Sequence, residues 1–237
     1  MITINNLSWQ EKNWSLLCSY IKQKRIPNGL LITGAEGLGK HRLAEQFATS
    51  LLCSNTQDNG FNCGQCNACL LIKAKTHPDF FLIKPDEEKT TISINQIRQL
   101  VTIAYLKPQF EAYRVALINP ADAMTPSAAN AFLKCLEEPT ERTIFVLITD
   151  KPSKLPATII SRCQKLALAL PDKKLMLAWL KEQGIYNNQE TLLKLVQGSI
   201  LTTQQVCDDV LLKQRTECFD DWMAIARHGN HPAIISE

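Results

Sequence analysis

Two clusters of residues in this sequence could do chemistry. The first is Gly34-Ala35-Glu36-Gly37-Leu38-Gly39-Lys40, a G-x-x-x-x-G-K loop. Such a loop turns backbone N–H groups toward a phosphate at a helix N-terminus, and its lysine reaches the outer phosphate oxygens. Gly34, Gly37, Gly39 and Lys40 are therefore candidate phosphate contacts. The next residue is His41, where the pattern calls for Ser or Thr. That hydroxyl normally ligates Mg²⁺, and imidazole suits a hard, oxygen-seeking cation poorly. A second segment departs in the same way. Val115-Ala116-Leu117-Ile118 runs into Asn119-Pro120, where a magnesium-holding strand would end in Asp and often Glu. Asp122 lies beyond that position and is not expected to substitute for it. Phosphate binding stays open on this reading, and hydrolysis is not expected.

The second cluster is Cys53, Cys63, Cys66 and Cys69, four of nine cysteines, on a Gly/Asn-rich stretch directly after the loop's helix. Four thiolates with short C-x-x-C knuckles suit a tetrahedral structural zinc, and a site closed by four ligands has no open position for catalysis. A redox role is the weaker reading, because no thioredoxin-like context surrounds the pair. Cys18, Cys135, Cys163, Cys207 and Cys218 are scattered and read as small buried hydrophobes.

Positioning these groups requires a core, and the composition supplies one. Of 237 residues, 45% are hydrophobic and 21% charged, within the globular range. A net charge of +3 is too small to imply nucleic-acid binding by the isolated chain. No apolar run approaches the ~20 residues of a membrane span, and the N-terminus lacks the basic and apolar regions of a secretory signal. The expected location is the cytoplasm.

Apolar spacing predicts a helix over 9–25, then a short buried strand over 29–33 leading into the glycine loop, and a helix over 41–52. Further strands are predicted over 80–84, 114–118, 143–149 and 165–170. Helices are predicted over 94–106 and 126–138, the latter opened by Thr125 as N-cap and Pro126 at the first turn. A short helix or turn covers 158–163. Strand–helix alternation of this kind gives a parallel α/β sheet. Beyond Pro171 only helices are expected, over 172–183, 189–197 and 202–213.

After the fourth strand comes Pro156-Ala157-Thr158-Ile159-Ile160-Ser161-Arg162-Cys163. With the glycine loop, the four cysteines, His77-Pro78-Asp79-Phe80, and Ala129-Asn130-Ala131-Phe132-Leu133-Lys134 through Leu136-Glu137-Glu138-Pro139, it gives a linked motif set. From about Trp9 to Gly198 the sequence resembles the AAA+ clamp-loader subunits of bacterial DNA polymerase III, and within them the delta-prime family. The resemblance implies an α/β fold: an AAA+ P-loop parallel sheet with helices on both faces and a zinc-ribbon-like insert, followed by a small all-helical lid domain. Residues 1–170 would form the AAA+ domain with the insert at 53–69. Residues 171–206 would form the lid, and 207–237 the start of a helical collar that looks truncated.

The resemblance further implies a stator that does not hydrolyse ATP, in a ring with gamma/tau and delta subunits. The ring loads a sliding clamp onto primed DNA. Arg162 of the Ser-Arg-Cys motif would be an arginine finger reaching a neighbouring subunit's ATP site, where a permanently charged fork can grip phosphate oxygens. Ser161 is expected to cap the short helix carrying it. The competing member is the gamma/tau ATPase, which shares the cysteines and the Ser-Arg-Cys motif. It differs at His41, Asn119, Pro120 and Leu201, the last standing where a sensor arginine would be. Thr149, at the sensor-1 position, does not discriminate. Glu137 and Glu138 read as an exposed pair at a helix end.

Overall fold

The structure is a computed structural model; it describes residues 7–110, 113–140, 142–185, 201, 219, 222 and 223. Five strands form one sheet: β1 (Gly29–Thr33), β2 (Phe80–Ile83), β3 (Arg114–Ile118), β4 (Thr143–Thr149) and β5 (Gln164–Ala167). All pairings are parallel, and the order is β2-β3-β4-β1-β5. Every residue of β3 and β4 is buried. This is the near-continuous apolar run expected where both faces of a parallel sheet are covered. The edge strands β2 and β5 are more exposed, and β5 carries Gln164 and Lys165 outward, which discourages pairing with another chain.

Successive side chains on a strand point to opposite faces, and the core divides accordingly. On one face Leu30, Ile32, Val115, Leu117, Val146 and Ile148 pack with α1 (Glu11–Gln23), α2 (Lys40–Leu52) and α3 (Asn67–Lys73). On the other, Leu31, Ala116, Ile118, Phe145 and Leu147 pack with α4 (Ile94–Ala104), α5 (Pro126–Glu137) and α6 (Ala157–Ile160). The caps are local. Thr125 accepts a hydrogen bond from the N–H of Ala128, and Ser93 and Gln96 form a reciprocal capping box on α4. Ser-x-x-Gln was present in the sequence as that signal.

Several boundaries differ from expectation. Helix α2 starts at Lys40, the last loop residue. The fifth strand is shorter and lies over Gln164–Ala167, because the exposed β5 edge has a neighbour only on the β1 side. Helix α3, inside the cysteine insert, was not anticipated; at seven residues it is too short for a periodic signal.

The chain divides into two compact units, Met1–Pro171 and Asp172–Glu237. In the second, α7 (Lys173–Glu182) buries Trp179 and Leu180. This answers to the helix expected over 172–183, while the helices expected over 189–197 and 202–213 lie outside the described residues, as does the collar segment 207–237 except for Phe219, Trp222 and Met223. Among the described residues no helix is long and apolar enough to cross a membrane.

Candidate functional site

The glycine loop leaves the sheet at the end of β1. Gly34 has a φ of 149°, and a Cβ there would come within 2.8 Å of the Leu168 carbonyl oxygen, so only glycine fits. Gly37 and Gly39 take left-handed φ of 72° and 84°, which glycine adopts without steric cost. The Leu38 carbonyl accepts hydrogen bonds from Trp9 Nε1 (3.1 Å) and Gln10 Nε2 (2.6 Å), which tie the loop to the turn ahead of α1.

Lys40 is not free. It is 6% exposed; its Nζ donates to the Ala35 carbonyl at 2.5 Å and pairs with the Asp150 carboxylate. Sheet register explains the pairing. Thr33 lies opposite Thr149 in the β1–β4 ladder, so Gly34 and Asp150 leave the sheet side by side.

The two altered metal positions meet. Asn119 Nδ2 lies 3.4 Å from His41 Nδ1, so the ends of two segments that would hold Mg²⁺ through a hydroxyl and a carboxylate instead form an amide–imidazole contact. Asp122 accepts a hydrogen bond from Thr149 Oγ1 at 2.5 Å, and Thr149 Oγ1 in turn accepts the N–H of Lys151 at 2.9 Å. The nearest carboxylate on this segment and the hydroxyl at the end of β4 are thus committed to each other.

The four insert cysteines converge, with all Sγ atoms within 4.8 Å of one another. Cys53 Sγ is 3.6 Å from Cys63 and 3.9 Å from Cys66. Zinc at about 2.3 Å from each sulfur of a tetrahedron would place the sulfurs about 3.8 Å apart, so the donor set fits that ion in chemistry and size. Cys53 ends α2, Cys66 precedes α3 and Cys69 lies on it, while Gly64 takes the left-handed turn between Cys63 and Cys66. The N–H groups of Cys63 and Cys66 donate to Cys53 and Cys63 sulfurs, both at 3.3 Å. Burial pushes the Cys69 thiol up to about 12. At Cys66 burial also opposes ionisation, but hydrogen bonds from the N–H groups of Cys69 and Ser54, and from the Cys69 and Cys63 thiols, together bring the thiol down to about 6.

Cys163 and Cys135 are buried, and burial pushes both thiols up to about 11, as expected of packing residues. His77 is also buried. Its Nδ1 accepts the N–H of Asp79 at 3.1 Å, and burial holds it below the usual imidazole range despite the Asp79 charge.

Arg162 is 37% exposed and anchored twice: Nη2 pairs with Glu137 at 2.8 Å and Nη1 donates to the Thr158 carbonyl at 3.0 Å. Ser161 does cap α6, but closes its C-terminal end and does not open the helix. The N-cap of α6 is Pro156, Ser161 sits at the C-terminal end with its hydroxyl on the Thr158 carbonyl, and Arg162 follows in the turn. The helix is one turn long and ends at Ile160, so Ser161 donates to its last carbonyls and Arg162 lies just beyond it. Three ionic partnerships were missed from sequence: Glu137 with Arg162, Asp150 with Lys40, and the buried Asp79–Arg114 pair. A hint was available for the last, since Arg114 opens an otherwise apolar strand.

A glycine loop between β1 and α2 in this parallel sheet defines a P-loop α/β protein of the AAA+ fold. The chain belongs to the family described as DNA polymerase III, delta subunit, whose model matches residues 9–172. It is 39% identical over 212 residues to the DNA polymerase III subunit delta′ of Pseudomonas aeruginosa, covering 88% of this chain and 63% of the relative. Likewise it is 34% identical to that of Haemophilus influenzae (79% and 57% covered) and 32% identical to that of Escherichia coli K12 (78% and 55%). The chain thus spans less than two thirds of the length of these relatives. Two solved structures share the fold. One is a DNA polymerase III gamma subunit-related protein of Thermotoga maritima (TM-score 0.53, 23% identity, 81% of this chain and 57% of that one). The other is Thermotoga maritima RuvB T158V (TM-score 0.50, 14% identity, 86% and 62%).

Proposed function

We propose that this chain is a non-hydrolysing subunit of a bacterial clamp loader. It works in a cytoplasmic ring with gamma/tau and delta subunits that places a sliding clamp on primed DNA. The observation that carries this reading is the His41–Asn119 contact, which leaves neither the hydroxyl nor the carboxylate that magnesium-dependent hydrolysis uses. Leu201, in place of a sensor arginine, agrees with it. Residues 171–206 would serve as the lid and 207–237 as the start of the collar. Cys53, Cys63, Cys66 and Cys69 would hold a structural zinc, which braces the insert and takes no part in the reaction.

The active role falls to Arg162, acting in trans on the ATP site of a neighbouring gamma/tau subunit. Its charge cannot be lost at physiological pH, and its fork suits the oxygens of a transferring phosphoryl group. Arg162→Ala is expected to slow hydrolysis at that neighbouring site by roughly 10³-fold or more while the ring still assembles. The measurement is single-turnover ATP hydrolysis by the complex reconstituted from this chain, gamma/tau and delta, and an unchanged rate would exclude the finger. The isolated chain is expected to show no ATPase. Turnover that vanishes in Lys40→Ala would instead identify an active gamma/tau-type enzyme.

Nucleotide at residues 34–40 would have to displace Asp150 from Lys40. Asp150→Asn is expected to tighten ADP binding by roughly tenfold, the low end for a charge-assisted hydrogen bond, because Asp150 is itself 39% exposed. Calorimetric titration checks this, and equal affinity in both proteins would show that Asp150 does not compete.

A further inference from the structure

The Arg162–Glu137 contact is more than a chance pairing of two surface charges, because the residues beside each partner converge on one buried point. Glu137 follows Leu136 and Arg162 precedes Cys163. A Cβ on Gly29, the first residue of β1, would come within 2.9 Å of Leu136 Cδ2, 3.1 Å of Cys163 Sγ and 3.6 Å of the Arg162 carbonyl oxygen. The missing side chain of Gly29 is what lets the end of α5 and the Ser-Arg-Cys turn close on the sheet together. The small, buried Cys163 fills that space. The backbones carrying Glu137 and Arg162 are therefore seated on a common footing, and their side chains meet above it at 2.8 Å.

Charge placement points the same way. Glu137 is the last residue of α5, at the negative end of the helix dipole, where a carboxylate is disfavoured. A facing guanidinium offsets that. Held at Nη2 by Glu137 and at Nη1 by the Thr158 carbonyl, Arg162 loses most of its freedom of rotation yet stays 37% exposed. An exposed ion pair contributes little to folding. Fixing a long side chain in advance matters instead to a reaction in which that side chain must meet a transition state.

We infer that Glu137 is the positioning residue of the arginine finger: it holds the Arg162 guanidinium presented toward the neighbouring subunit. The inference rests on the reading of Arg162 as that finger. It assigns Glu137, and not the adjacent Glu138, a part in the reaction without contact with the nucleotide.

The test uses the full chain in the complex with gamma/tau and delta subunits, with single-turnover ATP hydrolysis measured across ATP concentrations. Glu137→Ala is expected to lower the hydrolysis rate at the facing site by roughly tenfold, within the roughly 10²-fold that a small misplacement can cost, with the KM for ATP unchanged. Glu137→Gln, which keeps an acceptor oxygen, recovers part of the loss, and Glu138→Gln has no effect. Adding Glu137→Ala to Arg162→Ala costs nothing further, because the positioned group is already gone. A merely structural role for Glu137 would instead lower the melting temperature and slow the Arg162→Ala protein again. Wild-type hydrolysis by Glu137→Ala alongside slow hydrolysis by Arg162→Ala overturns the positioning role and leaves the finger standing. Wild-type hydrolysis by Arg162→Ala removes the finger and this inference with it.

Discussion

Asp79→Ala is expected to cost about 3–5 kcal/mol of folding stability, the penalty for leaving one charge of a buried pair alone. Asp79 is 0% exposed and Arg114 4%, with Arg114 Nη2 2.9 Å from Asp79 Oδ1. The other carboxylate oxygen accepts the N–H groups of Gln109 (2.8 Å) and Phe110 (3.1 Å). The guanidinium meanwhile donates to the carbonyls of Ile103, Leu106 and Lys107, at the end of α4 and just beyond it. One ion pair thus fastens the end of α4, the loop behind it and the starts of β2 and β3. Arginine cannot escape an unpaired burial by losing its proton, so the alanine variant retains a buried charge and orphans two N–H groups. Since domains keep only about 5–15 kcal/mol in hand, this is a large share. Urea denaturation reads it as a fall in midpoint. A loss below about 1 kcal/mol would mean the site opens to water, where ion pairs contribute little. Pairing Asp79→Leu with Arg114→Met should restore part of the stability, as replacing both partners by apolar groups commonly does.

Removal of metal should have the second large effect. The full chain is expected to carry one zinc, and a structural tetrathiolate site holds it with an apparent free energy on the order of 10 kcal/mol near neutral pH. Stripping it should unfold the insert without dissolving the sheet, because the insert reaches the rest of the unit through a few side chains. Trp14 of α1 stacks on Phe61 with ring centroids 4.6 Å apart, and its Nε1 donates to the Asn59 carbonyl at 3.0 Å. A Cβ on Gly60 would lie 2.5 Å from Cys18 Sγ, so the insert backbone is pressed against the same helix. Chelation is therefore expected to shift Trp14 fluorescence, and Trp14→Phe to abolish that shift. Cys66→Ser should lower the metal content well below one per chain. A protein purified without metal that kept four free thiols and an unaltered Trp14 signal would remove the zinc assignment. Acidification should release the ion, since its ligands bind as thiolates.

Much of the scaffold was legible because its determinants are local. The runs 30–32, 115–118 and 144–148 are apolar without alternation, and that pattern in short segments belongs to strands covered on both faces. Thr125-Pro126 announced α5 through hydrogen bonds made within one turn. The glycine loop and the cysteine knuckles were readable for the same reason: their functional atoms sit within a few residues of each other. The departures at His41 and Asn119 were also visible one at a time. That they touch was not, because 78 residues separate them.

Ser161 marks the limit of local inference. A serine beside an arginine suggests a cap without saying which end of the helix it closes, and here it closes the C-terminal end. The exposed pair Glu137-Glu138 was read from composition alone, which assigns acids to the surface but not to a partner. Glu137 lies 25 residues from Arg162 in sequence and meets it only because Leu136 and Cys163 pack over the same glycine.

The sequence by itself determined the class of fold, the loop and cysteine sets, and the chemistry missing from the metal positions. Those depend on residue type and short spacing, which the chain carries before it folds. Only the tertiary structure decided which charges face which: Lys40 with Asp150, Arg162 with Glu137, Arg114 with Asp79. Those partnerships depend on strand order and register, which bring distant segments within hydrogen-bond reach, and a hydrogen bond is sensitive to tenths of an ångström where a sequence pattern is not.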